Sequence, residues 1–91
     1  MIISGEIVRA ARGMLGLQQK EIAELAGVHP KAVARLEMGE LAHVSTEVTN
    51  KIIRALEDKG LEFTPATVSY GAGVRWRSSA GNPNRTDKAN G

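Results

Sequence analysis

Gln18-Gln19-Lys20-Glu21-Ile22-Ala23-Glu24-Leu25-Ala26-Gly27-Val28-His29-Pro30-Lys31-Ala32-Val33-Ala34-Arg35-Leu36-Glu37-Met38-Gly39-Glu40 is the stretch that decides the fold. Ile22, Leu25 and Ala26 recur at helical spacing, and Gly27 follows directly as a left-handed stop. Pro30 suits the first position of a new helix, where its missing N–H costs nothing. Val33 and Leu36 turn inward from that helix, and Gly39 ends it. Two helices joined this tightly must cross at a steep angle. A small residue is needed at the crossing, and Ala23 supplies it. The turn needs a positive φ, and Gly27 supplies that. Apolar residues must come from both sides of the turn, and Ile22, Ala26, Val28, Val33 and Leu36 do. The pattern is a helix-turn-helix.

Working outward, Ser4 caps a preceding helix with Glu6 in its first turn. Ile3, Ile7, Ala10 and Met14 form its apolar face, and Gly16 breaks it. Residues 40–44 read as a loop. Ser45 then caps a last helix striped by Val48, Ile52, Ala55 and Leu56, which Gly60 closes. After Gly60 the period changes to two. Leu61-Glu62-Phe63-Thr64 and Val74-Arg75-Trp76-Arg77 alternate as a β-hairpin, with a loop of about nine residues that pairing of Val68 to Tyr70 would shorten. From residue 79 onward the composition is that of a disordered tail. The expected organisation is therefore mainly α: four helices in residues 1–60, a hairpin extension in 61–78 and a tail in 79–91.

The chain has 91 residues and no cysteine. Disulfides, thiolate zinc sites and cysteine nucleophiles are excluded. No apolar run approaches the roughly 20 residues that span a bilayer, and the first residues do not read as a signal peptide, so a cytoplasmic protein without a membrane partner is expected. His29 and His43 lie too far apart, with no acidic partner at ligand spacing, to suggest a metal. Neither a phosphate-cradling glycine loop nor a nucleophile elbow occurs. We expect no enzyme and no cofactor. The twelve Lys/Arg against ten Asp/Glu leave a net charge of +2. Residues 1–60 balance eight against eight, so a polyanion must be met by local placement of charge. Gly27–Leu36 is such a place, with Lys31 and Arg35 and no acid.

The block resembles the DNA-binding helix-turn-helix of the Xre/Cro, or lambda-repressor-like, family of bacterial and phage regulators. The matching elements are Gly16-Leu17, Gln19, Ile22-Ala23, Gly27-Val28, Val33, Arg35-Leu36-Glu37 and Gly39. The match runs more weakly from Ser4 to Gly60. The resemblance implies a third helix in the DNA major groove, with Pro30, Lys31, Ala34 and Arg35 toward base edges. Lys31 and Arg35, four apart, project from one face, and each can donate to guanine O6 and N7. It also implies phosphate contacts at Gln19 and the N–H groups beside it, with Lys20 adding another. Arg12 and Glu37 match a family pair that joins the first helix to the end of the third. The sequence departs from the family at His29 and Gln18, where Ser or Thr caps are usual; a protonated His29 would reach a phosphate.

The hairpin admits two readings. Leu61, Phe63, Val74 and Trp76 share one face, which either covers the small helical core or forms a dimer interface. The functional expectation is a transcriptional regulator binding an inverted-repeat operator on double-stranded DNA as a homodimer. RNA polymerase or an antagonist protein are further partners that fit such a role. Two rival functions fit the same scaffold: the antitoxin of a toxin–antitoxin pair, and a protein-interaction adaptor that does not bind DNA.

Overall fold

A computed structural model describes residues 4–78. The expected tail and Ile3 lie outside them. The chain runs α1 (Gly5–Leu15), α2 (Gln19–Ala26), α3 (Pro30–Glu37), a 3₁₀ turn (Leu41–His43), α4 (Thr46–Asp58), β1 (Leu61–Thr64) and β2 (Gly73–Trp76). Four helices and a two-stranded antiparallel hairpin follow the order that the periodicities predict.

Each helix start has a local cause. The Ser4 hydroxyl accepts the Ile7 N–H at 3.3 Å, and that of Ser45 accepts the Val48 N–H at 3.1 Å. At α2 the cap comes from inside the helix, where the Glu21 carboxylate accepts the Gln18 N–H at 2.7 Å. This reciprocal arm of a capping box offsets the poor cap that Gln18 makes alone. Gly27 ends α2 at φ 73°, the left-handed conformation that lets α3 leave at once.

The face of α1 is rotated from the one the spacing suggests. Val8 and Ala11 are fully buried, Ile7 and Met14 pack at the margin, and Ala10 is exposed. The cause is close approach to α3. A methyl group on Gly5 would overlap the Glu37 carbonyl and come within 2.6 Å of the Leu36 oxygen. The line of smallest residues, Gly5, Val8 and Ala11, therefore faces inward. In α2, Ile22 and Ala23 are buried, whereas Leu25 stays half exposed. Val33 and Leu36 of α3, with Ile52 and Leu56 of α4, complete the helical core.

The hairpin pairs Leu61 with Trp76, Glu62 with Arg75, Phe63 with Val74 and Thr64 with Gly73. Leu61 is fully buried and Phe63 nearly so, both inside the core cluster of the helices. Val74 and Trp76 are partly buried beside them. Val68 to Tyr70 do not extend the strands. Thr67 to Tyr70 form a turn instead, in which the Thr67 hydroxyl accepts the Ser69 and Tyr70 N–H groups.

Candidate nucleic-acid interface

The outer face of α3 is built by what its inner face must do. Val33 and Leu36 are buried completely, which turns Lys31 and Arg35 to solvent. Neither side chain has an ion-pair or hydrogen-bond partner among the described residues. Pro30 is exposed beside them, and Ala34 is partly buried between. Among the described residues the helix therefore carries two unpaired cations four residues apart, with the small Ala32 and Ala34 between them. That arrangement can enter a groove and donate to base edges or phosphates.

The start of α2 offers a second polar surface. Glu21 and Ile22 send their N–H groups to the Gln18 carbonyl, whereas the Gln19 and Lys20 amides have no acceptor among the described residues. Lys20 is exposed and unpaired there as well. Free amides and a cation at a helix start suit a phosphate. The Gln19 side chain is already engaged, since its Nε2 donates to Glu37 Oε1 at 3.0 Å. His29 is exposed, and its Nδ1 accepts the Lys31 N–H at 3.1 Å. It caps α3 in the place of the usual Ser or Thr.

Glu37 ties these elements together. Arg12 donates to it through Nε at 2.7 Å and Nη2 at 2.9 Å, a bidentate pair, and also holds the Leu17 carbonyl at 3.1 Å. Arg9 donates to the Glu37 backbone oxygen at 3.2 Å, at the end of α3 where carbonyls lack helical partners. Burial alone would push the Glu37 carboxyl up. The hydrogen bonds from Arg12 and Gln19, with the charges of Arg12 and Arg9, override it and hold the group below its ordinary range. The same hydrogen bond raises the Arg12 guanidinium further, so the pair stays ionised. The resemblance supplied Arg12 and Glu37 as a pair; Arg9 and the Gln19 link were not read from the sequence. A signal existed for Glu37 itself, which stands one turn after the buried Val33 and so must face inward.

The fold defines a helix-turn-helix unit. The helix-turn-helix family profile matches residues 8–63, more than half the chain. The protein belongs to the Xre/lambda-repressor-like helix-turn-helix family, whose members are DNA-binding regulators of transcription. No sequence among curated proteins matches the chain significantly. No helix among the described residues is long and apolar enough to cross a membrane.

Proposed function

We propose that this regulator binds an inverted-repeat operator as a homodimer, with α3 in the major groove of each half-site. The observation that carries the reading is the pair of exposed cations Lys31 and Arg35, unpartnered among the described residues, opposite the buried Val33 and Leu36. Lys31 and Arg35 contact base edges, Pro30 and Ala34 let the helix approach, and the Gln19 and Lys20 amides hold a phosphate. Repression follows where the site overlaps a promoter, in the cytoplasm with the genome. No catalytic role and no cofactor belong to this reading.

The hairpin supports the dimer through its edge rather than its face. Leu61 and Phe63 are buried in the protomer's own core, which leaves them no surface for a partner. The Arg77 N–H donates to the Gly60 carbonyl at 2.8 Å, so the ladder alternates from there. Val74 and Trp76 then point their N–H and C=O groups away from β1, and these have no partner among the described residues. An open edge of this kind is a template for pairing. Antiparallel pairing of β2 with its copy would link two recognition helices about a two-fold axis.

Fluorescence anisotropy against DNA selected from a random pool tests the proposal. The expected result is two chains per palindromic site, with affinity falling steeply as salt rises. One chain per site, or binding indifferent to sequence, would refute it.

A further inference from the structure

His29 stands at the N-cap of α3 and accepts the Lys31 N–H through Nδ1. Pro30 brings no N–H, so Lys31 carries the first free donor of the helix, and the imidazole is what satisfies it. A nitrogen that accepts a hydrogen bond holds no proton. A ring that makes this bond is the neutral tautomer with its hydrogen on Nε2. A second proton would enter at Nδ1 and remove the acceptor. It would also place a positive charge at the positive end of α3. The charged residues of the flanking helices are Lys20, Glu21 and Glu24 on α2 with Lys31, Arg35 and Glu37 on α3. None forms an ion pair with the ring among the described residues.

We propose that His29 is a positioning residue that works only as the neutral imidazole, and that its second proton releases the first turn of α3 and weakens DNA binding. The last step rests on the DNA-binding reading; the release of the turn does not. The direction is opposite to that of a histidine acting as a phosphate-binding cation. DNA phosphates favour the imidazolium, but that gain is a single screened contact. The lost cap loosens the turn that carries Lys31, one of the two side chains aimed at the groove. Loss of an N-cap is worth about fivefold in the equilibrium of the turn it holds.

The test uses the full chain by NMR without DNA, from pH 8 to about pH 5, the range in which imidazoles change charge. The Lys31 amide shift should follow the His29 ring, and its exchange protection should drop about fivefold, the cap's worth. His43 is the internal control, since its protonation should leave Lys31 unmoved. His29→Asn keeps a capping acceptor that does not titrate, so its Lys31 amide should stay constant. In a binding titration at fixed ionic strength, wild-type affinity for the selected operator should fall with acidification, by at most about fivefold because only the competent fraction of the turn changes, and the Asn variant should stay flat. A Lys31 amide indifferent to the His29 ring overturns the proposal. So does a wild-type affinity that holds or rises where the Asn variant is flat. An amide that responds in a chain showing no operator preference would support the cap and sink the operator reading.

Discussion

Glu37 has a side chain only 3% exposed, yet it is ionised, because Arg12 and Gln19 reach it from two other helices. Removing one member of a buried pair costs about 3–5 kcal/mol, and the lower end applies here since Arg12 is 22% exposed. Glu37→Ala should therefore lower the urea-unfolding free energy by about 3 kcal/mol. The pH dependence has a definite sign. Glu37 is lowered from its ordinary 4.5, so its contribution is complete above that value and is lost as pH falls through the lower folded one. Arg12 is raised by the same hydrogen bond and stays protonated throughout this range, so the acid loss is set by Glu37 alone. Urea midpoints measured downward from pH 7 should fall in the acid limb for the native chain and much less for Glu37→Gln. Equal acid sensitivity in both would remove Glu37 from the account. Gln19→Ala removes a donor from Glu37 and keeps its own backbone amide, so it should show a small loss of stability with the preferred operator sequence unchanged. A changed base preference would instead mean that Gln19 reads bases. The sequence points to Glu37 through its position one turn from Val33. It does not reveal the bond to Gln19, which lies 18 residues away and depends on how α2 crosses α3.

Between elements, the controlling contact is α1 against the end of α3. Gly5 touches the carbonyls of Leu36 and Glu37, and Arg9 and Arg12 hold the same end from one turn and two turns further along α1. Gly5→Ala has nowhere to put its methyl group without moving backbone. We expect a loss of about 1–3 kcal/mol, the usual cost of overpacking, and weaker operator binding because the end of α3 must shift. Thermal unfolding and binding measured on one preparation check this; an unchanged melting temperature would mean that the helices are not in contact there. Helix boundaries were legible because Gly16, Gly27, Pro30 and Ser45 act locally. The rotation of α1 was not, since Ala10 and Ala11 are equally apolar and only the packing of Gly5 on α3 chooses between them. The hairpin was legible from its alternation. The Thr67–Tyr70 turn was not, because it rests on one hydroxyl that accepts two amides.

The whole molecule depends on the hairpin as part of its core. Phe63→Ala should cost about 3–4 kcal/mol, as for other buried aromatics, and truncation after Gly60 should unfold the helices by stripping Leu61 and Phe63 from them. A milder change isolates the dimer. Val74→Pro removes an N–H that points away from β1 and leaves the β1–β2 ladder intact. Sedimentation should then show a folded monomer beside a native dimer at equal concentration; a variant that still dimerises would place the interface elsewhere. The aromatic face was readable as an apolar surface, but sequence alone could not decide whether it covers the protomer or its partner. Most directly, selection from random DNA with the native chain and Arg35→Ala in parallel tests whether α3 reads the operator. The native chain should recover an inverted repeat with half-site centres about 10 bp apart. The variant should keep binding DNA but lose preference at one symmetry-related position, a discrimination of about 1–3 kcal/mol. Recovery of the same operator with undiminished preference by Arg35→Ala would contradict the account.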